Sequence, residues 1–204
     1  MTEPATYTLE VPGAVITYDV RRNESSTEPP LLLIGSPMGA AGFATLATHF
    51  PDRTIVTYDP RGAERSTKDD PTAPSNPEMH ADDLHRIIRE VGGPVDLFAS
   101  SGGAVNALAL VAKHPEEVRT LVAHEPPLAS LLPDRDAAMA RIVIGAGAES
   151  EGEMANRGGH AVGGRLGTEA VAFPSHHGGF LGGEYGWGGE PEAFAAKLRD
   201  VLEG

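Results

Sequence analysis

Short uninterrupted apolar runs alternate along this chain with segments whose apolar residues recur at helical spacing, and that alternation restricts the fold more than any other feature. Residues 31–34, 54–58, 95–99, 118–124, 141–144 and 170–173 read as strands, the continuous apolar ones of the kind a sheet covered on both faces requires. Between them, 43–49 predicts a helix. Leu84, Ile87, Ile88 and Val91 mark one face of an amphipathic helix ended by Gly92-Gly93-Pro94. Val105, Leu108, Ala109 and Ala112 line another, and Phe194, Leu198, Val201 and Leu202 a closing one. Residues 7–11 and 14–21 predict an opening hairpin, and 69–77, rich in Pro, Asp and Ser, a loop. Repeated βα units imply an α/β domain with a mostly parallel central sheet, helices on both faces, and a ligand at the C-terminal strand ends.

With 204 residues there is room for one domain with a real core, and the whole of 1–204 is read as one. The absence of cysteine removes disulfides and thiolate metal sites. No opening basic-apolar segment suits export, and no apolar run approaches the roughly 20 residues of a membrane span, so a cytoplasmic location with no membrane partner is expected. A formal net charge of -13 argues against binding a nucleic-acid backbone and leaves a small-molecule ligand.

Chemistry concentrates at Val95-Asp96-Leu97-Phe98-Ala99-Ser100-Ser101-Gly102-Gly103, where a buried strand turns straight into a helix. So tight a reversal forces one residue into a strained conformation and needs small neighbours, which Ala99, Gly102 and Gly103 supply. It also sets the Ser101 hydroxyl beside free helix N–H groups that favour developing negative charge.

Three further segments join this turn: Leu31-Leu32-Leu33-Ile34-Gly35-Ser36-Pro37, Tyr58-Asp59-Pro60-Arg61-Gly62-Ala63-Glu64-Arg65-Ser66, and Phe173-Pro174-Ser175-His176-His177-Gly178-Gly179-Phe180. Taken together, in this order, the chain resembles an α/β-hydrolase, more narrowly a small bacterial esterase-like member. Two departures are Ala99 in place of the first glycine of the G-x-S-x-G elbow and Ile34-Gly35 in place of His-Gly.

The resemblance implies a serine hydrolase that forms an acyl-enzyme without cofactor or metal. Ser101 is the nucleophile, and His177, in the loop leaving the last strand, is its base, with His176 as fallback. The acid is open. Many relatives carry an aspartate after the strand at 141–144, but that place falls on Ser150, flanked by Glu149 and Glu151. Haloalkane dehalogenases, which share the fold, can carry a glutamate at the end of the sixth strand, where Glu125 stands; Glu125 is preferred, with Glu149 the alternative acid. Backbone N–H groups of Gly102 and Ser36, or Met38 if the loop is shifted, would hold the oxyanion. Asp59 and Arg61 are expected to brace their own loop through local hydrogen bonds.

Gly145-Ala146-Gly147-Ala148-Glu149-Ser150 imitates a dinucleotide fingerprint, but serine replaces the third glycine and Glu149, Glu151 and Glu153 would face the pyrophosphate. No metal-ligand spacing is compact; His124-Glu125 and His176-His177 could meet around an ion, though catalysis explains them more economically. Four glycines, Gly158, Gly159, Gly163 and Gly164, predict a short or frayed helix within 156–167. Phe180, Tyr185 and Trp187 either wall the substrate site or anchor their loop.

Relatives insert a helical cap before the seventh strand, where only about 126–141 is available here, and Ala137-Ala138-Met139-Ala140 runs into Arg141-Ile142 without a turn residue. The join reads like an excision, leaving a lidless hydrolase. Leu128, Leu131 and Leu132 would then be exposed or buried in a homodimer. The alternative function is a catalytically impaired, hydrolase-like binding or interaction protein.

Overall fold

The computed structural model describes residues 3–127 and 141–204. Leu128, Leu131, Leu132 and the 137–140 helical stretch lie outside the described residues. Among the described residues nine strands form one sheet: β1 (Ala5–Val11), β2 (Ala14–Arg21), β3 (Leu31–Ile34), β4 (Ile55–Tyr58), β5 (Thr67–Lys68), β6 (Val95–Ser100), β7 (Val118–His124), β8 (Arg141–Gly147) and β9 (Val171–Phe173). The order is β1-β2-β4-β3-β6-β7-β8-β9, with β5 paired to β2. All pairings from β4 through β9 are parallel, and only the contacts of β2 are antiparallel.

Period-two alternation distributes side chains to both faces. Leu32 and Ile34 pack with Leu84, Ile87 and Ile88 of α2 (Pro77–Val91) and with Ala104, Ala107 and Leu110 of α3 (Gly102–Lys113). Leu31 and Leu33 face Leu46 of α1 (Ala44–Thr48) and Phe194 and Leu198 of α5 (Pro191–Glu203). The central strands are apolar on both sides because both sides are covered. α2 is bounded as its sequence demands: Asn76 caps the Met79 N–H at 2.9 Å, Pro77 opens the first turn, and Gly92 closes it at φ 85°.

The helix expected over 43–49 is present as the five-residue α1, preceded by a 3₁₀ turn, Ala40–Phe43. The segment predicted to fray is instead a 12-residue helix, α4 (Met154–Arg165). Two of its glycines are packing devices: a Cβ on Gly158 would lie 2.6 Å from the Pro126 carbonyl oxygen, and one on Gly163 3.1 Å from that of Thr168. Close approach to neighbouring backbone offsets the low helix propensity. The strand expected at 141–144 runs on to Gly147, so that Gly145 and Gly147 belong to β8 and pair with β9.

Arg61 also reaches further than its own loop. Its guanidinium makes a buried fork with Asp83 of α2, at 2.8 and 2.7 Å. Asp59 accepts from Arg65 within its own loop and also from the Ala40 N–H, in the turn after β3, at 2.8 Å. Among the described residues no helix is long and apolar enough to cross a membrane.

Candidate active site

Strand β3 has β4 on one side and β6 on the other, so the chain leaves the sheet in opposite directions on either side of it and opens a crevice at the C-terminal ends. The loop after β3 and the turn after β6 meet there. A Cβ on Gly102 would fall 2.6 Å from the Ser36 carbonyl oxygen, and one on Gly103 2.8 Å from the Gly35 Cα. Backbone packs on backbone at both points, which only glycine permits. Ala99, the departure from the usual elbow, is fully buried in the apolar cluster beneath α2 and α3, so its methyl group fits.

Ser101 occupies the turn itself, at φ 55° and ψ -126°, a strained position for a residue with a side chain. Its N–H donates to the His124 carbonyl at 2.9 Å and its carbonyl accepts from Ala104. These two bonds hold the backbone while the hydroxyl stays at the mouth of the crevice. Among the described residues, the N–H groups of Ser36, Met38 and Gly102 have no internal hydrogen-bond partner and are free to donate to a ligand.

Glu125 follows β7 directly, also at positive φ, 47°, with its N–H given to the Gly145 carbonyl at 2.9 Å. Its carboxylate has no exposed surface. Oε1 accepts the Gly147 N–H at 2.8 Å and the Ser150 hydroxyl; Oε2 bonds Nδ1 of His177. Burial by itself raises this carboxyl, but the hydrogen bonds from His177, Ser150 and Gly147, with the adjacent His124, outweigh it and hold Glu125 well below the ordinary glutamate range. Glu125 is therefore an anion at neutral pH.

Ser150 was singled out as a residue unable to serve as the acid, and the structure gives it another task. Its hydroxyl donates to the glutamate that meets His177. The Gly147 carbonyl, 3.1 Å from the same hydroxyl, is held by Asn156 Nδ2 at 3.0 Å. Ser150, Gly147 and Asn156 are site residues that sequence reasoning did not assign; the visible signal was a serine where a carboxylate was due. Glu149 is exposed, and its carboxylate has no contact with His177 among the described residues.

Of the adjacent histidines, His176 has both nitrogens engaged in its own loop. Nδ1 accepts the Gly178 N–H at 3.0 Å, which leaves the proton on Nε2 for the Gly188 carbonyl at 2.9 Å. His177 has Nδ1 on Glu125 and lines, with Ser101, Ser36, Met38, Phe180, Leu181 and Trp187, a cavity of about 170 Å³. Phe180 is buried and stacks on Phe43, whereas Trp187 is 56% exposed at the cavity and edge-on to His176. Tyr185 does not line that cavity.

Beneath His177 lies a second imidazole. His124, fully buried, stacks at 6.1 Å and 23° on the His177 ring among Phe173, Phe180 and Phe194. Burial lowers its pKa to about 4, so it is uncharged at neutral pH.

The chain was compared with known proteins. Residues 28–148 match the family model described as the alpha/beta hydrolase fold. An uncharacterized hydrolase of Bacillus subtilis (strain 168), YraK, is 41% identical over 128 residues, spanning 61% of this chain; the chain covers 46% of that relative's length. Among solved structures, a predicted CIB-like hydrolase from Thermoplasma acidophilum aligns over 98% of both chains with a TM-score of 0.77 at 13% identity, a likeness of fold alone. An alpha/beta hydrolase from Sphaerobacter thermophilus DSM 20745 is 31% identical, covering 63% of this chain and 47% of its own, with a TM-score of 0.51.

Proposed function

This chain belongs to the α/β-hydrolase fold family, and from that premise we propose that it is a serine hydrolase cleaving small esters or related acyl compounds through an acyl-enzyme. The observation that carries the reading is the connection of Glu125 to His177 at the mouth of the cavity that Ser101 also lines.

Nδ1 of His177 donates to Glu125, so Nε2 carries the lone pair and takes the Ser101 proton as Oγ attacks the acyl carbonyl. The imidazolium that forms is stabilised by the Glu125 anion. The carbonyl oxygen, now negative, is held by the Ser36 and Gly102 N–H groups, which are fixed before reaction begins. Collapse of the tetrahedral intermediate expels the alcohol, which leaves with the proton from His177. Water, deprotonated by the same imidazole, then attacks the acyl-serine and releases the acid. Neutral His124 beneath the ring adds no charge that would oppose the imidazolium.

The cavity is small and walled by Met38, Phe180, Leu181 and Trp187, which suits a short apolar acyl group. The test is covalent labelling: a fluorophosphonate probe should attach one equivalent to Ser101, located by mass spectrometry, and none to Ser101→Ala. A folded wild-type protein that takes no label would refute an active serine hydrolase.

A further inference from the structure

Away from the crevice, at the opposite end of β7 from Glu125, three potential metal ligands converge that the hydrolytic chemistry does not use. His85 projects from α2, His114 caps the C-terminal end of α3, and Glu117 sits in the 3₁₀ turn Pro115–Glu117 that leads into β7. Their ligand atoms all lie within 4.8 Å of one another. The two imidazoles stack at 4.1 Å and 15°.

His85 Nδ1 is 2.8 Å from Glu117 Oε1, yet this is not a hydrogen bond. His85 Nδ1 and the other carboxylate oxygen, Glu117 Oε2, are both shielded from solvent without a hydrogen-bond partner. Glu117 Oε2 is left without a hydrogen-bond partner and His85 Nδ1 has only its close contact with Oε1, and a shared cation would satisfy both. The framework is already fixed: His114 N–H bonds the Leu110 carbonyl at 2.7 Å, and Glu117 N–H bonds the His114 carbonyl at 3.1 Å. Lys113, the neighbouring cation, is paired with Asp82.

We propose that His85, His114 and Glu117 form a binding site for a divalent transition ion of the zinc class. Two imidazole nitrogens and one carboxylate oxygen are borderline ligands that suit Zn²⁺ or Cu²⁺ rather than Mg²⁺ or Ca²⁺, which take all-oxygen sets. Tetrahedral zinc, with bonds of roughly 2.0–2.2 Å, brings ligand atoms to roughly 3.3 Å apart. Side chains that are 24% exposed at His85, 23% at His114 and 13% at Glu117 can close to that separation and leave a fourth position to water. The ion would clamp α2 to the turn before β7, stabilising the native state by mass action rather than taking part in hydrolysis.

Titration calorimetry of chelator-stripped protein with zinc chloride should give one equivalent at micromolar affinity, with a rise in Tm. His85→Gln and Glu117→Gln should each weaken binding by about tenfold or more, while exposed His160→Gln leaves it unchanged. Loading with one equivalent of Cu²⁺ adds a readout on the unaltered chain: its electron paramagnetic resonance spectrum should show two coordinated nitrogens. Absence of 1:1 binding, unchanged affinity in both cluster variants, or a spectrum without two nitrogens would overturn the assignment.

Discussion

Ser101 and Glu125 stand at the ends of adjacent strands, β6 and β7, whose last residues Ser100 and His124 are paired in register, and both adopt positive φ, 55° and 47°. Their seats are nonetheless built differently. The serine turn is shaped by one contiguous run, 99–103, pressed against a single loop at Gly35 and Ser36. Glu125 is held by Gly145, Gly147, Ser150 and His177, from three places beyond its own strand. The proposed nucleophile is thus seated by backbone packing and backbone hydrogen bonds, whereas a buried anion needs donors, and those donors can come from anywhere in the fold.

Removing either seated group separates the two sides most sharply. Ser101→Ala should lower the turnover of a short-chain p-nitrophenyl ester by ~10⁴-fold or more and abolish fluorophosphonate labelling without loss of Tm; residual labelling elsewhere would place the nucleophile on another residue. Next comes the elbow's steric limit. Gly103→Ala puts a methyl group 2.8 Å from the Gly35 Cα, where only backbone can yield. It should cost about 2–3 kcal/mol in urea unfolding, and a loss under 0.5 kcal/mol would show the turn to be looser than described.

The acid side should respond more gently to loss of one donor among several. Ser150→Ala removes one hydrogen bond to a charged group and should slow turnover by roughly tenfold, with about 1–2 kcal/mol of stability; an unchanged rate would make Ser150 a bystander. His124→Phe is the smallest effect at neutral pH and grows with acidity. With its pKa lowered from 6.5 to about 4, native His124 resists the proton that the unfolded chain binds, so wild-type stability falls as pH drops through that window. The phenylalanine variant should lack that slope, worth on the order of 1–3 kcal/mol, as measured by Tm between pH 7 and pH 4. Below pH 4.5 both proteins should still lose the stability Glu125 contributes, because its lowered folded value means that contribution is complete above 4.5 and disappears only as the anion is protonated.

The same contrast explains what could be read from the chain. The strand runs at 31–34, 95–99 and 118–124 and the small residues of the elbow are local signals, and they located the sheet and the serine turn. α4 was misjudged because glycine's poor helix propensity is local, while the close backbone approach that calls for glycine at Gly158 and Gly163 is a tertiary fact. Ser150 is readable as a vacancy for an acid but not as a donor to Glu125, since nothing in the 25-residue spacing between them fixes how β7 and β8 exit side by side. His124 is visible in the sequence beside Glu125, but not as the buried ring beneath His177. The His85, His114 and Glu117 cluster was equally hidden, its members being scattered over two helices and a turn.

The account turns on which carboxylate serves His177. The direct measurement is the initial rate of p-nitrophenyl acetate hydrolysis at pH 7.5 for Glu125→Gln and Glu149→Gln beside the parent protein, each shown folded by circular dichroism. Glu125→Gln should be slower by about 10²–10⁴-fold, with Glu149→Gln within twofold of the parent. Equal rates for the two variants, or a slower Glu149→Gln, would contradict it.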